Sequence, residues 1–94
     1  MNAETYGDEE VYTADGYEDA FLGICTSPSH PQPVVAYDYD KCILVLMERD
    51  GMTYEDAVEF FSFNAMGSYV GPTTPHYITL YPDVRAAIDD GHFP

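Results

Sequence analysis

Ninety-four residues, 46% of them apolar and 15% aromatic, with 17 Asp and Glu against 3 Lys and Arg for a formal net charge of −14, describe a chain with room for one domain and a thin core. Nine Tyr and five Phe are too many for a disordered chain despite the charge. The field of so many acids repels nucleic acid and anionic membrane, and suits a basic partner, above all a groove that normally holds a nucleic acid backbone.

Residues 1–19, "MNAETYGDEEVYTADGYED", hold seven of the seventeen acids and no base. They read as an acidic arm, solvated or mobile when free, separate from a single α+β domain over 20–94. "AFLGICT" (20–26) is short, apolar and β-branched, and "SPSHPQP" after it has three prolines that do not suit a ladder, so a strand, a seven-residue loop with His30 at its tip and a second strand "VVAY" (34–37) are expected.

A helix follows. At about 100° per residue Tyr39, Ile43, Leu46 and Met47 share one face and Cys42, Leu44 and Val45 fill most of the rest, the pattern of a buried helix, with Gly51 as a left-handed cap. "TYED" then opens a second helix, with Thr53 at the N-cap, Asp56 three residues on, and Met52 and Ala57 as a hydrophobic staple. Its core face is Tyr54, Ala57, Val58, Phe61 and Ala65, so Phe60 and Phe63 point to the flank and need cover from another element, a second subunit or a partner. A turn-rich break leads to the strand "HYITLY" (76–81) and a short helix "PDVRAAIDD" begun by Pro82. The expected outline is β-β-α-α-β-α: a small three-stranded antiparallel sheet with two central helices on one face and a short C-terminal helix.

The sharpest enzymatic pattern is "YDYDKC" (37–42), where an apolar strand ends in Asp38-x-Asp40. This resembles the nucleophile and acid/base pair of haloacid-dehalogenase-type phosphohydrolases, with Asp89-Asp90 as later metal-binding acids. That family also needs a Ser or Thr and a Lys from other strand ends in a much larger doubly wound sheet. Helix capping by Asp38 or Asp40 asks for no further groups and is the favoured reading. His30, His76 and His92 have no metal-ligand spacing, Cys25 and Cys42 no CxxC pattern, and no phosphate loop or nucleophile elbow appears, so no catalytic residue, metal or cofactor is assigned. The N-terminal residues have no signal-peptide pattern, and no run reaches the ~18 apolar residues of a membrane span, which suggests a protein of the cytosol.

The blocks "DGYEDAFLGIC" (15–25) and "AYDYDKCILVLMERDGMTYEDAVEFFSFNAMGSYVGPTTP" (36–75) resemble a group of small, acidic, largely uncharacterised proteins of tailed bacteriophages and prophages, with the pattern YDxxK then RDGMxxEEAxEFxxFNxxGxYVGxxTP. Asp56 replaces the second acid of "EEA", Ser62 stands where many members look acidic, and the tail from Pro82 is peculiar to this chain. The resemblance implies a phage origin and hence the host bacterial cytoplasm, and carries little chemistry.

Three functions are expected in order of preference. The first is a non-enzymatic inhibitor of a bacterial defence complex, of the anti-CRISPR type, whose acidic surface mimics nucleic acid phosphates and blocks a Lys/Arg-lined channel of a basic nucleic-acid-binding host protein. The residues expected to bind are Asp8, Glu9, Glu10, Glu18 and Asp19 in the arm, Glu55, Asp56 and Glu59 on the second helix, and Phe60 and Phe63 as apolar contacts. The second is a homodimeric phage housekeeping or structural protein paired through Phe60 and Phe63. The third is a small metal-dependent phosphohydrolase using Asp38 and Asp40.

Overall fold

A computed structural model describes residues 2–80. It is a small α+β fold with two helices, a three-stranded sheet and a separate two-stranded ribbon. The ribbon comes first: β1 (Asn2–Tyr6) pairs antiparallel with β2 (Glu9–Thr13) around the turn Gly7-Asp8. Gly7 takes φ 61° at the first central position, where a two-residue hairpin turn needs a left-handed residue. The stretch expected as an arm is thus a ribbon seated on the domain, with Val11, Ala14 and Tyr17 in the common core.

A 3-10 turn (Glu18–Ala20) leads into β3 (Phe21–Ser27), which pairs antiparallel with β4 (His30–Asp38). The connection is only Pro28-Ser29, not the seven-residue loop expected, and His30 begins a strand rather than tipping a loop. Pro31 and Pro33 fit inside β4 because the register slips between Cys25 and Ser27, and because β5 reaches β4 only at Ala36–Asp38. Each proline therefore sits where the ladder is irregular or open on the far side.

The third strand, β5 (His76–Ile78), runs parallel to β4. This corrects the antiparallel sheet expected from the sequence: the sheet is mixed, in the order β3-β4-β5. The physical reason is the crossover. β4 runs straight into α1 (Tyr39–Asp50) and α2 (Tyr54–Phe61), which carry the chain back so that it re-enters beside β4 in the same direction. The C-terminal helix expected from Pro82 lies outside the described residues.

Both helices start and stop on the residues that favour it. The Asp38 carboxylate accepts from the Lys41 backbone N–H at 3.2 Å and caps α1, and Gly51, with φ 68°, closes it. Thr53 Oγ1 accepts from the Asp56 N–H at 3.2 Å and caps α2. Helix α1 is less enclosed than its composition suggests: Cys42, Ile43 and Leu46 are buried while Leu44 faces solvent. On α2, Ala57 and Phe61 are buried, but Tyr54 lies outside the core.

Phe61 is the centre of the core. Tyr17, Tyr39 and Tyr77 meet it edge-on at centroid distances of 5.4, 5.6 and 4.8 Å, the orientation that sets ring edges against a π face. Ribbon-to-sheet linker, helix α1 and strand β5 thus meet on one side chain of α2. Arg49 ties the same region from outside: its guanidinium donates to the Gly16 carbonyl at 2.9 Å, lies 5.8 Å over the Tyr17 ring and pairs with Asp50 at 3.0 Å. Gly16 has φ 89°, a left-handed conformation that favours glycine; a Cβ there would lie 2.7 Å from Arg49 Nη1, the end of a flexible side chain that can shift aside.

Candidate functional site

Four of the ten sequence-predicted binding residues, Asp56, Glu59, Phe60 and Phe63, meet at the end of α2. The helix does not stop at Phe61 but widens into a π turn, Ser62–Met66. Asn64 Nδ2 donates to the Phe60 carbonyl at 3.0 Å, and Ser68 Oγ donates to the Asn64 carbonyl at 2.8 Å. These side chains add bonds to backbone carbonyls where the helix widens. Within the wide turn Ala65 still reaches the core, whereas Phe63 projects into solvent.

Asp56, Glu59, Phe60 and Phe63 line one shallow depression of about 410 Å³ with Asn64. Phe60 is 40% exposed and Phe63 77%, so two rings offer apolar area with two carboxylates beside them. Carboxylates take charge-assisted, often bidentate, bonds from Arg, and exposed rings give such a contact apolar area. Glu55 is exposed on the same helix without lining the depression.

The other predicted acids sit on different elements. Asp8 is in the ribbon turn, Glu9 and Glu10 are on β2, and Glu18 and Asp19 are in the 3-10 turn, all exposed. Glu18 is held below the usual carboxylate range by backbone N–H groups, its own and that of Gly16, the latter donating at 3.3 Å. Glu18 also lines a second recess, of about 430 Å³, with Glu4, Asp15, Phe21 and Tyr37. Glu4 and Asp15 were not singled out in the sequence; the ribbon's fold brings them there, and only the Gly7-Asp8 turn signal pointed to that fold.

Another groove, about 600 Å³, is lined by His30, Tyr69, Pro72, Thr74, His76 and Tyr77, among others. His30 and His76, far apart in sequence, stand with ring centroids 6.0 Å apart, and His30 Nδ1 lies 3.1 Å from the Gln32 carbonyl. His76 lies on β5 in register with Ala36 of β4, so it is tertiary packing and not strand register that sets its ring beside His30. His92 lies outside the described residues. Among the described residues no three His, Cys, Asp or Glu side chains gather as a metal-ligand set.

Tyr77 and Cys42 mark the interior. Burial pushes the Cys42 thiol up to about 12, with Asp38 adding to the shift, and burial raises the Tyr77 hydroxyl as well. The Tyr77 hydroxyl is buried with no hydrogen-bond partner among the described residues, while that of Tyr37 accepts from the Ala14 N–H at 2.9 Å. No described helix is long and apolar enough to cross a membrane. Compared with family models, curated proteins and solved structures, the chain finds no match.

Proposed function

We propose that this chain is a non-enzymatic inhibitor that occupies a Lys/Arg-lined, nucleic-acid-binding channel of a bacterial defence complex, in the manner of an anti-CRISPR protein. Its carboxylates stand in for phosphates there. The observation that carries the reading is the depression at the end of α2, where Asp56 and Glu59 flank the exposed rings of Phe60 and Phe63. A net charge of −14 speeds encounter with a basic channel and fixes orientation, and the rings supply apolar contact that charge alone lacks. The phage resemblance supplies the setting, the cytoplasm of an infected host.

The test is retention of a basic nucleic-acid-binding complex from a bacterial lysate, with the affinity of the purified pair then measured across salt. Changing Glu55, Asp56 and Glu59 together to Gln, Asn and Gln should weaken it by at least about tenfold, or 1.4 kcal/mol, and binding should fall steeply toward physiological ionic strength. Affinity indifferent to salt, or to the triple change, would overturn the reading.

A second reading draws on the exposure of Phe60 and Phe63 alone: these rings pair two copies of the chain. Sedimentation would then show a concentration-dependent dimer that Phe63→Ser abolishes.

A further inference from the structure

The edge strand β3 is built unlike a protected edge. Its outer side meets no strand among the described residues. Its seven residues, Phe-Leu-Gly-Ile-Cys-Thr-Ser, include no charge and no proline. Phe21 is 52% exposed, Leu22 44% and Ile24 36%, so apolar surface lies open along the strand. Soluble proteins blunt such edges with lysines, prolines or very short strands. The opposite edge, β5, is short at three residues; β3 has only irregularities of register, between Phe21 and Gly23 and between Cys25 and Ser27, and these leave Gly23–Cys25 in regular pairing with Val34–Ala36.

Charge decides what fits this edge. The recess with Glu4, Asp15 and Glu18 on its wall opens beside Phe21, the first residue of β3, and Tyr37 floors it with an edge-on contact to the Phe21 ring at 6.2 Å. A second copy of the chain would bring another −14 charges and the same acids to the seam. A segment rich in Lys or Arg would meet opposite charge at the end of the strand and apolar side chains along it. We propose that β3 docks an extended basic segment of a partner protein, which joins the sheet by β-strand addition along Gly23–Cys25 and places a Lys or Arg in the recess beside Phe21. Main-chain bonds supply the affinity of such a contact and the end recess its direction. The surface uses β3 and the 3-10 turn, not α2, and stands independently of the inhibitor reading.

The experiment uses the full chain, isotope-labelled, and three synthetic peptides of about eight residues, the length of an ordinary strand. One alternates Val and Thr and ends in Lys-Arg, one ends in Glu-Glu, and one is the basic peptide with alternate backbone nitrogens methylated. The basic peptide is expected to bind and to slow amide exchange across Gly23, Ile24 and Cys25. N-methylation should lower its affinity by at least about tenfold, with the protein untouched, and Glu4→Gln with Glu18→Gln should lower it several-fold. Absence of binding, equal binding of the acidic peptide, or indifference to N-methylation would overturn the proposal. So would a dimer through β3 that strengthens with salt and excludes the peptide, which would make a second copy the occupant.

Discussion

Two tyrosines on neighbouring strands carry opposite accounts of their hydroxyls. Tyr37 accepts from the Ala14 N–H and so satisfies a backbone donor that the packing of the ribbon has buried, whereas the Tyr77 hydroxyl has been taken out of water with no partner among the described residues. Leaving a buried donor unmade costs about 1–3 kcal/mol, while removing an unpaired hydroxyl returns its desolvation cost. Tyr37→Phe should therefore destabilise by about 1–2 kcal/mol and Tyr77→Phe should be neutral or stabilising by up to about 1 kcal/mol, as read from urea unfolding. Cys42 adds a pH dependence. Unfolded, its thiol ionises around 9.0, and folded it keeps its proton up to about 12. The unfolded state thus binds fewer protons between those values, and stability falls as pH rises through the window. Unfolding midpoints at pH 7, 9 and 10 should show the decline beginning near 9, before ordinary tyrosines ionise, and Cys42→Ala should remove that first part.

At the scale of elements, the starts and stops of the helices were legible because a cap is a local device. Gly51 and Thr53 act where the sequence placed them, and Asp38 takes the cap that the sequence left between Asp38 and Asp40, since a side-chain acceptor three residues from a free N–H needs no tertiary partner. Thr53→Ala should cost about 1 kcal/mol and lower the thermal midpoint, with Thr53→Ser restoring most of it; no change would mean that packing through Phe61 alone holds the first turn. What the sequence hid was non-local. The direction of β5 depends on how the two helices return the chain, and the π turn at Ser62–Met66 depends on one extra residue absorbed against the core. The ribbon was obscured for a different reason: Tyr6-Gly7-Asp8-Glu9 carries a hairpin signal, but the density of acids around it suggested a solvated arm. Phe60 and Phe63 were recognised as off the core face, and the π turn explains why Phe63 is so far out in solvent. The meeting of His30 with His76, and of Glu4 with Glu18, depends on how distant segments pack, which periodicity does not encode.

For the whole molecule, charge is the dominant quantity. With 17 acids and 3 bases, carboxylates far outnumber the bases that could neutralise them, and the native state concentrates their mutual repulsion relative to the expanded chain. Added salt should raise the thermal midpoint by ~2–5 °C between low and physiological ionic strength, because the Debye length shrinks to about 8 Å. A flat or falling midpoint would mean that specific pairs such as Arg49 with Asp50 outweigh the general field. The same screening should weaken capture of a basic partner, so salt is expected to steady the free protein and loosen its complex.

The parallel course of β5 also orders events on the ribosome. The ribbon, the β3–β4 hairpin and both helices have all been synthesised before His76 appears, since β5 follows them in the chain. Until then β4 lies open along the side that will receive β5, and Phe61 lacks the ring of Tyr77 against it. The nascent chain therefore passes through a stage in which β4, a strand of nine residues, is itself an edge in place of the three-residue β5, the stage at which aggregation or chaperone capture competes with folding. A strand of three residues ends that exposure, so how soon it docks sets how long the newborn protein remains vulnerable.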